Sequence, residues 1–263
     1  MHKHKPTRKA LLAVAAIALI SGCSAPVADL PKLVAPPAEN TIPAPSPAPA
    51  PTTAGTANNQ AAVEKAPTGR VVANPDDVTL IVNKSIKLPD NYRPADLVVP
   101  NVAFIFTEPD DKRLMRKEAA RALEQMFAAA KQDGIHLAGV SGYRSFATQS
   151  ALFDYYVRTQ GEETARKYSA EPGHSEHQTG LAMDISGSTG KCAADDCFAG
   201  TPEALWLEQH APEYGFIIRY PKGKESITGY AYEPWHVRYV GVATAKETVA
   251  RGLTLEEYYG PGR

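Results

Sequence analysis

The chain is 263 residues long and nearly neutral, with 28 Lys and Arg against 29 Asp and Glu, and it holds 22 prolines. A balance this even carries no electrostatic footprint for nucleic acid, which excludes that class of partner. Ten of the prolines fall between Ser24 and Pro67, so not all of the length can belong to one packed core.

In chain order, residues 1–22 carry Lys3, Lys5, Arg8 and Lys9, then an apolar run from Ala10 to Ile20, then Ser21 and Gly22. A basic flank, an apolar stretch and small residues before a cut site describe an export signal. The run is about half the ~20 residues that span a bilayer, which disfavours a permanent transmembrane helix. Ile20-Ser21-Gly22-Cys23 resembles the bacterial lipobox, which implies that Cys23 becomes the lipidated first residue of the mature protein. A plain signal peptide with an incidental cysteine is the alternative. Removing the leader leaves 24 basic and 29 acidic residues, a formal charge of −5. That balance argues against a polybasic membrane surface and leaves the lipid as the anchor. The expected location is outside the cytoplasm, anchored to a bacterial membrane.

Residues 23–75 read as a disordered tether. No aromatic residue occurs from Cys23 until Tyr92, and Pro43-Ala44-Pro45-Ser46-Pro47-Ala48-Pro49 has nothing to bury. Residues 76–263 read as one globular domain. Thr79 to Val82 is predicted as a short strand, and Asp110 to Gln132 as an amphipathic helix stopped by Gly134. Its stripe is Leu114, Ala119, Ala122, Leu123, Met126, Phe127 and Ala130. Ile135 to Val140 is a strand leading into Ser141-Gly142-Tyr143-Arg144-Ser145. Ala147 to Arg158 is a helix expected to bury Leu152, Tyr155 and Tyr156. Strands follow at Leu181 to Ile185, Phe216 to Tyr220 and Trp235 to Val240, with helices at Pro202 to His210 and Ala243 to Arg251. Helices and strands without regular βαβ alternation predict an α+β domain, its central sheet mainly antiparallel and flanked by helices.

With Cys23 acylated, Cys192 and Cys197 remain as one pair across Ala193-Ala194-Asp195-Asp196, a loop short enough for a local bridge. An oxidising compartment makes a disulfide the expectation. A zinc knuckle would need a second cysteine pair, and the chain has none.

Two histidines stand in settings rich in other polar chemistry: Ser175-Glu176-His177-Gln178-Thr179-Gly180-Leu181-Ala182-Met183-Asp184 and Glu233-Pro234-Trp235-His236. A catalytic zinc needs three imidazole or carboxylate ligands and an open position, with a carboxylate base close by. His177, Asp184 and His236 can supply the ligands and Glu233 the base, with Glu176 as another carboxylate within reach. Alternation buries Leu181, Met183 and Ile185 on one face and turns Asp184 to the other, beside the small Gly180 and Ala182. A regular strand would send Glu233 and His236 to opposite faces. Pro234 breaks that regularity, so an elbow can bring both to one centre. Each residue alone has a plainer structural reading, the default for His136, His174 and His210. The His-Glu-x-x-His helix is absent, so spacing alone leaves the metal reading open.

The same stretches resemble the VanY-type D-alanyl-D-alanine carboxypeptidases, a zinc-peptidase group that includes the vancomycin-resistance D,D-dipeptidases. The matching segments run in family order. They are Val82-Asn83-Lys84 with Leu88-Pro89-x-x-Tyr92, Ser141-Gly142-Tyr143-Arg144-Ser145 with Gln149, Pro172-Gly173-x-Ser175-Glu176-His177-Gln178-Thr179-Gly180, and Gly229-Tyr230-x-Tyr232-Glu233-Pro234-Trp235-His236. The resemblance implies one zinc per chain on His177, Asp184 and His236, with Glu233 as the base that activates water. It implies that Arg144 faces the scissile carbonyl or the substrate carboxylate, and that Gln149 and Ser175 hold the terminal residue. Tyr143, Tyr232 and Trp235 would wall the pocket. The implied activity is removal of the terminal D-alanine of a peptidoglycan stem peptide, and the chain is expected to act as a monomer. L,D-carboxypeptidase, dipeptidase and endopeptidase activities stay open, because loops such as Gly187 to Gly200 and Gly223 to Thr228 would decide between them. A non-catalytic wall-binding lipoprotein remains a rival. So does a structural zinc domain closed by a fourth ligand such as His174.

Overall fold

The computed structural model describes residues 69–260. The leader, Cys23 and the tether up to residue 68 lie outside the described residues. Two short strands, β1 (Arg70–Val71) and β2 (Ile86–Lys87), pair in parallel, so the described fold includes residues upstream of Asp76. Strands β3 (Leu97–Val98) and β4 (Met115–Arg116) form a second, antiparallel pair ahead of helix α1 (Lys117–Gln132). Then come β5 (Leu137–Ser141), helices α2 (Phe146–Gln160) and α3 (Glu162–Tyr168), and β6 (Ala182–Gly187). The chain continues through α4 (Pro202–His210), β7 (Phe216–Ile218), α5 (Glu225–Thr228) and β8 (His236–Tyr239). Helices α6 (Val242–Ala250) and α7 (Leu255–Tyr259) complete it.

The central sheet has the order β5-β6-β8-β7, and every neighbouring pair is antiparallel. Its two faces differ in chemistry. Met183, Ile185, Val237 and Tyr239 point toward α1 and α4, where Leu123, Met126, Phe216 and Leu207 join them in one core. Met183, Ile185 and Val237 are fully buried, each stabilising the fold by roughly 1.5–3 kcal/mol. The opposite face carries Asp184 on β6 and His236 and Arg238 on β8. There Ile217 packs with Leu255 of α7 in a smaller cluster.

Three expectations are corrected by tertiary hydrogen bonds. Thr79–Val82 is not a strand: Val78 and Leu80 turn their carbonyls to the buried Arg238 guanidinium, at 3.0 and 2.8 Å, instead of to a neighbouring strand. The helix predicted from Asp110 begins only at Lys117. Asp111–Arg113 forms a separate 3₁₀ turn capped by Asp110, and the next residues are drawn out as β4. Gly142 N–H donates to the Lys112 carbonyl, Tyr143 N–H to that of Leu114, and Arg116 N–H to that of Gly180, which holds this segment extended. In α2 the buried side chains are Gln149 and Phe153; Leu152 and Tyr156 are half-buried and Tyr155 is 53% exposed. Helix α3 packs against α2, and the exposed Tyr155 ring stands edge-on to Tyr156 with 5.7 Å between ring centres.

Candidate active site

Each candidate ligand sits where the local fold leaves it little freedom. His177 lies in a 3₁₀ turn, Glu176–Thr179, that ends at Gly180 with φ +67. A side chain at Gly180 would be strained there and would meet Leu97 at 2.8 Å, so glycine is needed to turn the chain into β6. Asp184 and His236 are directly opposed partners on the central strands β6 and β8. His236 follows a turn closed by its own N–H donating to the Glu233 carbonyl at 3.2 Å, with Pro234 at the position its ring prefers. One ligand atom from each of His177, Asp184 and His236 falls within 4.8 Å of the others, and all three residues are buried. His177 Nε2 is 3.4 Å from Asp184 Oδ2, and His236 Nδ1 is 3.1 Å from Asp184 Oδ1.

The far side of each ring is held as well. His177 Nδ1 meets the Gly142 carbonyl at 2.8 Å, so Nε2 is left to face the cluster. Gly142 must be glycine for this approach, because a Cβ there would lie 2.5 Å from the Leu114 carbonyl oxygen. His236 Nε2 faces Glu176 Oε2 at 3.4 Å, which leaves Nδ1 for the cluster. Glu176 Oε1 accepts from Arg219 Nε at 2.8 Å and Arg238 Nη1 at 2.6 Å, all three side chains being fully buried. Burial raises the Glu176 carboxyl, but the two guanidiniums outweigh it and hold it well below the ordinary carboxylate range. Burial takes the His177 imidazole down to about 3. At His236 burial is outweighed by Asp184 and Glu176, which raise it to about 9. His177 is thus held neutral, as an imidazole ligand must be, while the Asp184 carboxylate supplies negative charge between the two rings.

Glu233 is 8% exposed, and its Oε2 lies 3.9 Å from His236 Nδ1. Burial pushes its carboxyl up to about 8, with His236 pulling it down and Asp184 pushing it further up. Arg144 is fixed by donating to Gln149 Oε1 at 2.9 Å and to Ser141 Oγ at 3.1 Å. Arg144, Ser175, Trp235, Glu233 and the three candidate ligands line one cavity of about 430 Å³. A buried acid, a cation and a triad that could hold a metal ion thus line one cavity.

Several candidate site residues lie elsewhere or are otherwise engaged. Gln149 is fully buried behind the cavity, its amide oxygen on Arg144 and its nitrogen on Ser169 Oγ and the Ala170 carbonyl. It supports Arg144 and has no donor left for a substrate. Tyr143 is buried under the Arg93 guanidinium, 4.7 Å from its ring centre, and does not line the cavity. Tyr232 points away to α4, its hydroxyl donating to Glu208 at 2.6 Å. His174 stands outside the ligand cluster, its Nδ1 on the Asn83 carbonyl at 2.7 Å. Glu176 has its Oε1 taken by the two arginines and its Oε2 turned to the back of the His236 ring, which fits a support better than a base.

Cys192 and Cys197 form a disulfide. Ala194, Asp195 and Asp196, inside its loop, reach the cavity wall, whereas nothing from Gly223 to Thr228 does. Sequence reading missed Tyr220 and Tyr230, which line the cavity and tilt against each other at 4.7 Å, with Tyr220 also 5.0 Å from the His236 ring. It also missed Arg219 and Arg238. The available signal was a charge set beside the apolar runs Ile217-Ile218 and Val237, where a buried cation needs a buried partner.

A family model described as "VanY: D-alanyl-D-alanine carboxypeptidase" matches residues 112–242. YodJ of Bacillus subtilis (strain 168) is 50% identical over 197 residues, which cover 75% of this chain and 72% of that protein. The solved LD-carboxypeptidase LdcB is 50% identical with a TM-score of 0.71, covering 74% of this chain and 92% of its own. A vancomycin-resistance D,D-pentapeptidase, VanY, solved with Zn(II), is 31% identical with a TM-score of 0.56, covering 70% of this chain and 99% of its own. With the ligand cluster, the buried acid and this likeness together, the chain belongs to the VanY family of D-alanyl-D-alanine carboxypeptidases and is a peptidase.

Proposed function

We propose that the protein is a zinc carboxypeptidase that releases the C-terminal D-alanine of peptidoglycan stem peptides. The observation that carries this reading is the convergence of His177, Asp184, His236, Glu233 and Arg144 on one cavity. Two imidazoles and one carboxylate form a donor set that suits a catalytic zinc, and both rings are braced from behind, so the residues fit the ion. Zinc held there supplies a Lewis acid that polarises the peptide carbonyl and makes water easier to deprotonate.

The chain's own residues do the rest. Glu233 accepts the proton of the attacking water on its carboxylate as the water oxygen bonds to the carbonyl carbon. It returns that proton to the departing amine as the C–N bond breaks. Arg144, already oriented by Gln149 and Ser141, donates to the carbonyl oxygen as negative charge grows on it. Trp235 and Tyr220 exclude water from one side, and Ser175 presents a hydroxyl to the terminal residue.

A second reading concerns which bond is cut. The greater likeness to an L,D-carboxypeptidase than to a D,D-pentapeptidase favours a tetrapeptide stem, in which the terminal D-alanine follows an L-configured centre. Mass spectrometry of the products from matched tetrapeptide and pentapeptide stems separates the two. Release of one alanine from the tetrapeptide alone supports the L,D reading, and release from the pentapeptide alone the D,D one. No release from either would defeat the enzymatic proposal. The same function asks for a site of action outside the cytoplasm. The basic-apolar leader and Cys23 support lipid anchoring, with the proline-rich stretch between Cys23 and the first strand as the tether. A fatty-acid probe should label the wild-type chain and not Cys23→Ser; equal labelling would defeat the anchor.

A further inference from the structure

The carboxylate behind His236 is itself held from a distance. Arg219 spends its Nε on Glu176 and turns its other two nitrogens on Glu256 of α7, with Nη1 at 3.0 Å from Oε2 and Nη2 at 2.6 Å from Oε1. This is a fork-to-fork contact, which fixes the plane of the guanidinium as well as its place. Asn83 Nδ2 donates to the same Glu256 at 3.1 Å and limits its swing. Arg238 is locked separately, by the carbonyls of Val78, Leu80 and Tyr239. Both arginines deliver their hydrogen bonds to Glu176 Oε1, so Oε2 alone is left to face His236 Nε2. Arg219 and Glu176 have fully buried side chains, and that of Glu256 is 16% exposed, so water competes little for these bonds.

We propose that Glu256 is a positioning residue for the metal site, acting through Arg219 and Glu176 to aim the Nδ1 of His236. The proposal rests on the zinc reading above for its metal-binding arm alone. Without the Glu256 fork, Arg219 is free to rotate about its Nε contact. The Glu176 carboxylate then loses the constraint that presents Oε2 to the ring. Ligand orientation of this kind is worth about 10- to 100-fold in metal affinity, and a support one contact further out belongs at the lower end.

The test compares Glu256→Gln with Lys224→Met in the purified chain. Lys224 ties the same helix to the body through Glu257, at 3.0 Å, and touches neither Arg219 nor Glu176. Zinc affinity is read by competition with a chromogenic chelator. Exchange of the His236 Nε2–H proton with solvent is read by NMR, and thermal melting tracks the fold. Glu256→Gln should bind zinc about tenfold more weakly and exchange that proton faster, while Lys224→Met leaves both at wild-type values. Arg219→Lys, which keeps charge but cannot form the two-nitrogen fork on Glu256, should behave like Glu256→Gln and serves in its place if that variant melts early. Wild-type affinity and exchange in Glu256→Gln and Arg219→Lys would overturn the proposal. Equal losses in Lys224→Met would also overturn it, by showing that helix docking alone matters. If the wild-type chain takes up no zinc, the functional reading fails, and the proton-exchange comparison still decides the positioning role.

Discussion

Glu176 and Glu233 stand on either side of His236 and are buried alike, yet their surroundings set them opposite tasks. Two guanidiniums saturate one oxygen of Glu176 and hold it ionised far below its ordinary range. Glu233 has no such clamp: it faces the cavity, and burial pushes it up to about 8. A carboxylate pinned by permanent cations is a fixed part of the frame. One that is buried with little neutralising charge is ready to exchange a proton. The difference teaches that burial alone does not mark a catalytic acid or base. The partners decide, and here they divide a pair of glutamates into a support and a reagent.

Exchanging each carboxylate for its amide is the direct way to break this contrast. Glu233→Gln should lower turnover by roughly 10²–10⁴-fold, because the proton acceptor is gone. Bound zinc and substrate affinity should stay near wild type, as metal analysis and substrate-analogue titration would record. Near-normal turnover would remove Glu233 from the chemistry. Glu176→Gln should act the other way round, with zinc affinity falling about 10- to 100-fold. The fold should also weaken by roughly 3 kcal/mol, since two buried arginines lose their shared anion. Turnover at saturating zinc should fall much less than in Glu233→Gln, and equal falls in the two variants would erase the distinction.

Acid sharpens the supporting side of the comparison. At Glu256 burial raises the carboxyl, but Arg219 and the hydrogen bonds from Arg219 and Asn83 outweigh it and leave it below its ordinary value of 4.5. A folded-state value below the unfolded one contributes stability that is present above pH 4.5 and lost as the pH falls through the folded value. Melting of the metal-free chain should therefore drop more steeply below about pH 4.5 in the wild type than in Glu256→Gln. Parallel melting curves would mean that the Glu256 clamp carries no such linkage. The smallest effect belongs to the rim. The Cys192–Cys197 bridge closes a short loop, so replacing both by serine should cost about 2 kcal/mol or less. Because Ala194, Asp195 and Asp196 reach the cavity wall, the same variant should lose more in substrate affinity than in stability, read as KM against melting temperature. Unchanged KM would make the loop a bystander.

The features legible in the sequence were those that a local rule governs. Alternation at Leu181, Met183 and Ile185 marked the strand that carries Asp184, and Pro234 marked the elbow before His236. Both candidate ligands could be placed because a period of two and a proline act within a few residues. What was not legible depended on partners far along the chain. Gln149 lies next to a motif that suggests substrate contact. Its actual partners, Ser169 and Ala170, are about 20 residues away, and no spacing reports that its amide is already spent. Tyr232 resembles a wall residue until Glu208 on another helix claims its hydroxyl. The start of α1 was misplaced for the same reason. The stripe continues back to Leu114, and only hydrogen bonds from Gly142 and Tyr143 and to Gly180 pull that segment straight. Arg219 and Arg238 were visible as misfits in apolar strands, but the carboxylate they converge on was not.

The pairing of Asp184 directly opposite His236 has a consequence for how an ion would come to be held there. The two side chains share a face only in this one register, and a slip of a single residue would turn one of them into the core. They are separated by 52 positions along the chain, so an unfolded polypeptide offers a metal scattered donors with no common centre. An ion bound at both residues would therefore wait for the strand pair to close, and would then act as a rivet across the two central strands. Metal uptake by a refolding chain should consequently lag behind the return of sheet structure, reporting completed assembly instead of initiating it.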